Sequence, residues 1–208
     1  MGLSAARLAE ALAALAAIEP AFARGIARAG LPAPRIRARG YETLLRTIVG
    51  QQVSVAAANS IWARLVAATG DPRDPARLAA TDDETLRAAG LSRQKIGYAR
   101  SLAGEVLSGR LDLDALPADD EAAIAALVRI RGIGRWSAEI YLLFAEGRAD
   151  IWPAGDLAVQ AEVGRLLGLP ERPSEKAVRQ LAEAWRPHRG AAAIFAWHHY
   201  DSVVKSPL

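Results

Sequence analysis

Apolar side chains recur at helical spacing along most of the chain, and glycine, proline or a capping residue interrupts them at helix-length intervals. Alanine and leucine dominate these positions and β-branched residues are scattered, so the pattern predicts an all-α fold. Residues 71–75 are predicted to form a turn, and the tail at 205–208 is expected to fray. Helices are predicted at 4–29 with a break near Glu19, 41–49, 55–68, 81–90, 93–107, 119–131, from 135 through Phe144, 157–167, 174–185 and from 190 onward.

A tight connection between two predicted helices lies at Gly132-Ile133-Gly134. The two glycines allow positive φ angles and can leave several N–H groups pointing outward at the start of the second helix. The dipole of that helix and the charges of Arg131 and Arg135 favour an anion there. The turn, with Arg135, therefore predicts a phosphate site that positions nucleic acid without reading its sequence. A plain helix connection with solvated arginines is the alternative.

A second candidate is Asp156, which follows Pro153-Ala154-Gly155 and directly precedes the apolar helix predicted at 157–167. Aspartate at this place is a natural N-cap, and capping alone is one interpretation. The backbone donors of a cap also keep the carboxylate ionised. A fixed anion near a phosphate-binding turn is what a reaction through a cationic sugar intermediate needs.

Two stretches together carry a resemblance: Gly-Ile-Gly-Arg-Trp-Ser-Ala at 132–138 and Pro-Ala-Gly-Asp at 153–156. They resemble the helix-hairpin-helix and Gly/Pro-rich-loop-Asp signature of DNA glycosylases, within which the chain is most similar to the DNA-3-methyladenine glycosylase II type. The similarity extends from about Tyr41 to the last helix. The resemblance implies one two-lobed helical domain over residues 1–208, with an active-site cleft between the lobes. N-terminal helices would fill about 1–40, the hairpin about 122–146 and the catalytic loop 152–157.

The resemblance also implies an activity. Such enzymes rotate an alkylated, cationic purine out of duplex DNA and hydrolyse its N-glycosidic bond, leaving an abasic site for base excision repair. Asp156 would be the catalytic carboxylate, and Trp136, Trp152 and His188 would line the base pocket. His188 and Ala191 stand where the family has a second tryptophan and a tyrosine, so one wall of the pocket is altered. For Trp136, packing in an apolar helical stripe is the alternative.

Two further features take their meaning from the resemblance. In the family motif Gly-Gln-x-Val-Ser the residue at x fills the space that the flipped base leaves, and here x is Gln52, where leucine is best known. Gln51 and Gln52 are therefore predicted to form the intercalating wedge, with ordinary turn solvation as the alternative. Relatives that also cut the strand carry a lysine nucleophile at the position of Trp136, so the chain is expected to have no lyase activity.

Composition narrows the picture. The 208 residues include no cysteine, which excludes disulfides, thiolate metal sites and the iron–sulfur cluster of endonuclease III-like relatives. The net charge is +3, and the basic residues are nearly all arginine, which suits a polyanionic partner. No apolar run reaches membrane-spanning length.

We therefore expect a cytoplasmic monomer that acts on damaged double-stranded DNA without a cofactor, although a cation bridging the hairpin carbonyls and a DNA phosphate is compatible with the motif. Two alternatives stay open. One is a non-catalytic helix-hairpin-helix module that binds bent or damaged DNA and has no need of Asp156. The other is an enzyme of the same fold for neutral deaminated or oxidised bases, because the imidazole of His188 can donate a hydrogen bond.

Overall fold

The computed structural model describes residues 3–204, so the predicted fraying of 205–208 lies outside the described residues. Within that range every regular element is helical, which confirms the predicted fold class. A π-helical turn, Leu142–Glu146, follows the ninth helix, and a 3₁₀ turn, Ala182–Trp185, follows the eleventh. The α-helices are α1 Ala5–Ile18, α2 Pro20–Ala29, α3 Tyr41–Gly50, α4 Val55–Thr69, α5 Pro75–Ala80, α6 Asp83–Ala88, α7 Arg93–Leu107, α8 Asp120–Val128, α9 Arg135–Tyr141, α10 Leu157–Leu166, α11 Glu175–Leu181 and α12 Arg189–Val204.

Side-chain caps fix where most helices begin. Ser54, Ser92 and Ser174 each accept a hydrogen bond from the backbone N–H three residues later, at 3.2 Å in all three cases. Each of these bonds satisfies one of the donors that a helix start leaves without an intrahelical partner. Helices α4 and α7 begin where the sequence predicts, and the predicted break between α1 and α2 falls at Glu19.

The segment predicted as a turn at 71–75 runs directly into a helix that the sequence analysis missed. Helix α5 begins at Pro75 and is capped by Asp74, whose carboxylate accepts from the N–H of Ala76 at 2.9 Å. Its six residues are too few to show a periodic apolar pattern. The helix predicted from residue 81 also begins later than expected, because Thr81 ends α5 and Asp82 caps α6.

The second helix of the predicted hairpin is not α-helical throughout. Helix α9 ends at Tyr141 and passes into the π-helical turn, which contains Phe144. The segment predicted as one helix at 174–185 likewise tightens into 3₁₀ geometry after Leu181. The π-helix is rare and occurs mostly as single turns inside α-helices, and here one turn directly continues α9.

Two compact units divide the chain. The terminal unit comprises the residues up to Arg37 and those from Leu142 onward, and the central unit is Ala38–Tyr141. The terminal unit closes on fully buried leucines of α1 and on an aromatic cluster in which Phe22 meets Trp185 edge-on at 5.1 Å. Each such buried side chain contributes about 1.5–3 kcal/mol relative to exposure.

The central unit has its own core. Its fully buried side chains come from α3 to α8, and they include Leu45, Leu65, Leu78, Leu86, Leu102 and Leu127. Helix α7 packs beside both α3 and α5 and therefore forms the scaffold of this unit. No helix in residues 3–204 combines the length and the hydropathy that crossing a bilayer requires.

Candidate active site

The glycine turn of the central unit lies between α8 and α9, as predicted. Gly132 has φ +86°, and the buried Ile133 donates its N–H to the carbonyl of Ile130 at 3.0 Å. Gly134 is exposed and immediately precedes α9. The first N–H groups of a helix have no acceptor within it. A phosphate at this end would therefore accept hydrogen bonds from these N–H groups and lie at the positive end of the helix dipole.

Helix α7 explains why the first residue of the turn is glycine. A Cβ on Gly132 would lie 2.6 Å from Cε2 of Tyr98 and closer still to two other ring carbons. The preceding residue is held by the same helix, because the N–H of Arg131 donates to Oγ of Ser101 at 3.0 Å. The close approach of α7 and the left-handed backbone therefore both favour glycine at this position.

Arg135, the arginine predicted to bind phosphate beside the turn, is paired with carboxylates. The guanidinium of Arg135 donates to Oε2 of Glu121 at 2.8 Å and to Oε1 of the buried Glu139 at 2.9 Å. These bonds, that to Glu121 foremost, raise the pKa of Arg135. Two carboxylates therefore engage this side chain, and its binding to phosphate stays a prediction. Arg131 is exposed, and its guanidinium donates to the backbone carbonyl of Gly97 at 3.3 Å.

The two adjacent glutamines of the predicted wedge have different surroundings. Gln52 is exposed and has φ +55°, the one positive φ at a non-glycine residue within 3–204. Gln51 is half-buried, and its Nε2 donates to the carbonyl of Gly132 at 2.8 Å. The amide of Gln51 thus faces the glycine turn, and its predicted part in the wedge stays a prediction. The intercalating role of Gln52 stays a prediction.

Trp136 lies in the first turn of α9 and is 47% exposed. Ile140, four residues later on the same face of α9, is 9% exposed, but the side chain of Trp136 itself is not buried. The alternative of core packing is therefore wrong for this residue. Its indole presents a large aromatic surface to solvent, as a base-contacting side chain would.

Asp156 lies in the terminal unit and caps α10. Its Oδ1 accepts from the N–H groups of Ala158 at 2.9 Å and Val159 at 3.0 Å. The side chain is half-buried, between the buried segment 151–154 and the exposed Gly155 and Leu157. The carboxylate is consequently fixed in direction by two charge-assisted bonds without being sealed inside the core.

The loop that carries Asp156 is braced at two points. Gln160, on the first full turn of α10, is 6% exposed and donates its Nε2 to the carbonyl of Ala154 at 2.7 Å. Upstream, Nε of Arg189 donates to Oδ1 of Asp150 at 2.9 Å. Neither hydrogen bond is predictable from the local sequence, because its partners come from separate elements or turns. They restrict the loop at each end, and this rigidity sets the direction of the carboxylate.

The remaining predicted pocket residues belong to the terminal unit. Trp152 is 4% exposed, donates its indole N–H to the carbonyl of Val178 at 3.2 Å and meets Trp185 edge-on at 5.5 Å. It is a core residue beneath the loop. His188 is half-buried just before α12, and its backbone N–H donates to Trp185. A pocket role for either residue stays a prediction.

Candidate metal ligands are absent from the described residues: no group of three or more His, Asp or Glu side chains within 3–204 could hold an ion. A cation at the glycine turn would use backbone carbonyls instead. There the carbonyl of Gly132 already accepts from Gln51, and that of Ile130 accepts from Ile133. The expected bridging cation stays a prediction.

Comparisons with known proteins agree with this geometry. Residues 45–187 match the family described as HhH-GPD superfamily base excision DNA repair protein, a segment that contains both the glycine turn and Asp156. DNA-3-methyladenine glycosylase 1 of Schizosaccharomyces pombe is 35% identical over 161 residues, covering 76% of this chain and 71% of the relative.

Two solved structures share the architecture. A DNA-3-methyladenine glycosidase from Bacillus halodurans has a TM-score of 0.82 and 31% identity, with 91% of this chain and 88% of that one covered. A Schizosaccharomyces pombe 3-methyladenine DNA glycosylase in complex with abasic DNA has a TM-score of 0.79 and 29% identity, with 96% and 100% covered.

Proposed function

Because the chain belongs to the HhH-GPD superfamily of base excision DNA repair proteins, we propose that it is a DNA glycosylase that removes alkylated purines from double-stranded DNA. The similar proteins described above are 3-methyladenine DNA glycosylases, and one of them is seen with abasic DNA. The observation that carries the proposal is the state of Asp156, a half-buried carboxylate fixed by two backbone N–H groups within the matched segment.

The chemistry needs one anion. An alkylated purine already carries positive charge and leaves with the electron pair of the C1′–N bond, so positive charge develops on the deoxyribose. A preorganised carboxylate stabilises that charge more than water does, because it needs no reorganisation when the bond breaks. The water that adds to C1′ loses a proton, which Asp156 accepts. The products are the free base and an abasic site.

The central unit supplies the DNA-binding groups in this proposal. The turn at 132–134 and the charge of Arg131 hold the phosphate backbone, which gives affinity without sequence preference. Gln52, on its exposed left-handed backbone, enters the stack in place of the rotated nucleotide. The exposed indole of Trp136 attracts the cationic base, with each such contact contributing about 0.5–2 kcal/mol.

The proposal includes no cleavage of the DNA strand. Where strand-cutting relatives are expected to have a lysine nucleophile, this chain has Trp136, which offers no amine for a Schiff base. We further propose that residues 1–208 act as one glycosylase domain, as a monomer in the cytoplasm and without a cofactor. The absence of cysteine from the chain is compatible with a reducing compartment.

The decisive experiment uses a methylated DNA duplex and measures abasic sites as strand breaks after alkali. The parent protein should release methylated bases, and Asp156→Asn should bind the same duplex but react at least about a hundredfold more slowly. Asp82→Asn is the matched control, since Asp82 also caps a helix and accepts from a backbone N–H at 2.8 Å. It should keep the parental rate.

Other outcomes would replace the proposal. DNA binding without any released base would favour the non-catalytic module. Release of hypoxanthine or an oxidised base, with methylated bases left intact, would favour the enzyme for neutral lesions in which His188 donates to the base. Strand breaks before alkali, with a borohydride-trapped protein–DNA adduct, would refute the monofunctional assignment.

A further inference from the structure

Gln51 joins two loops that are distant in sequence. It lies between α3 and α4, and its amide reaches the carbonyl of Gly132, 81 residues later, at 2.8 Å. The next residue, Gln52, is exposed at the tip of the same loop. One glutamine therefore faces the glycine turn while its neighbour faces outward.

Helix α7 contacts the segments on both sides of the hydrogen bond between Gln51 and Gly132. Nζ of Lys95 donates to the carbonyl of Val49 at 2.7 Å, near the C-terminal end of α3, and burial lowers the pKa of that amine. One turn later the ring of Tyr98 abuts Gly132, and Ser101 accepts the N–H of Arg131. The loop at 51–54 and the turn at 132–134 are thus both positioned by α7. The hydrogen bond of Gln51 connects the loop to the turn directly.

We propose that Gln51 is a positioning residue that connects the wedge loop at 51–54 to the phosphate-binding turn. When the turn binds the DNA backbone, this connection sets how deeply Gln52 enters the base stack. The inference rests on the proposed function and deepens it. Misplacing a group by about 1 Å can cost up to a hundredfold in rate. The loss of one neutral hydrogen bond alone corresponds to about a fivefold effect.

The first test is Gln51→Met, which keeps the length of the side chain and removes its donor. A duplex with one 7-methylguanine is cleaved under single turnover, either paired with cytosine or opposite an abasic-site analogue. The paired substrate should react about five- to tenfold more slowly with the variant, whereas the unpaired substrate should change less than about twofold, because its base rotates out without a wedge. Gln180→Met is the matched control, at an exposed glutamine of α11.

The second test needs no bond cleavage. 2-Aminopurine is placed opposite an abasic-site analogue, and its fluorescence reports entry of Gln52 into the stack when protein binds. Gln51→Met should bind with a similar Kd but give a smaller fluorescence change. Adding Gln51→Met to Gln52→Ala should cause no further change, since Gln51 acts through Gln52.

The proposal is overturned by equal rate losses on the paired and unpaired substrates, by an unchanged fluorescence signal, or by additive effects in the double variant. Gln51→Glu keeps the shape and replaces the donor by an acceptor, so it repeats the test if the methionine variant melts early. A parent protein that cleaves neither substrate refutes the proposed function, while the fluorescence assay still decides the role of Gln51.

Discussion

Substitution by alanine should affect stability very differently at the two glycines of the turn. In Gly132→Ala the new Cβ must occupy a backbone with φ +86° and overlap the ring of Tyr98. The left-handed conformation costs about 1–2 kcal/mol for a residue with a Cβ. Overpacking adds about 1–3 kcal/mol. The sum, about 3 kcal/mol, corresponds to a fall in Tm of roughly 6–12 °C for a domain of this size.

Gly134 provides the matched control in the same turn. A Cβ there would meet no atom within 4 Å, and its φ is not positive. Gly134→Ala should therefore melt within about 1–2 °C of the parent. If the turn holds a phosphate, the added methyl group should nevertheless weaken DNA binding. The double variant Gly132→Ala/Tyr98→Ala removes the overlap and leaves the backbone strain, so it should lose less stability than the sum of the two single losses.

The assay is thermal unfolding followed by circular dichroism, together with DNA binding by fluorescence anisotropy. Equal melting temperatures for Gly132→Ala and the parent would refute the reasoning, because neither strain nor overlap could then exist. A loss at Gly134 as large as that at Gly132 would refute it as well, since the structure offers no stability cost there.

Three more predictions follow from individual contacts. Asp156→Ala should lower the free energy of unfolding in urea by about 0.5–2 kcal/mol, because it removes the cap of α10. Asp156→Asn keeps an acceptor for the cap, so it should lose activity with little change in stability. An active asparagine variant would contradict this prediction. Gln160→Leu leaves the buried carbonyl of Ala154 unpaired, which should cost about 1–3 kcal/mol and lower kcat more than it raises KM; unchanged kcat would contradict it. The hydrogen bond from Arg110 holds the pKa of Glu105 below its ordinary value of 4.5, so the group stabilises the fold above that pH and the effect is lost as pH falls through the folded pKa. Glu105→Gln should accordingly lower Tm at pH 7, and the difference from the parent should shrink as the pH falls below 4.5; a difference that does not shrink would contradict the assignment.

The helices that the sequence predicted correctly are those with local signals. Ser54 and Ser92 cap their helices through N–H groups three residues away, and the apolar period of α7 is visible over 15 residues. Helix α5 was missed because six residues give no period, and its Asp74 cap lies inside what reads as a turn. The π-helical turn after Tyr141 was missed as well, since it depends on packing and not on a local residue type.

Some features of the candidate site were likewise predictable from the sequence, and others were not. The sequence by itself determined the glycine turn and the cap at Asp156, because glycine conformation and N-capping are properties of a few adjacent residues. Only the tertiary structure decided that Gln51 faces Gly132 and that Arg135 is held by carboxylates of α8 and α9. Partners brought together across tens of residues leave no periodic or local trace in the chain, and their choice depends on how the helices pack.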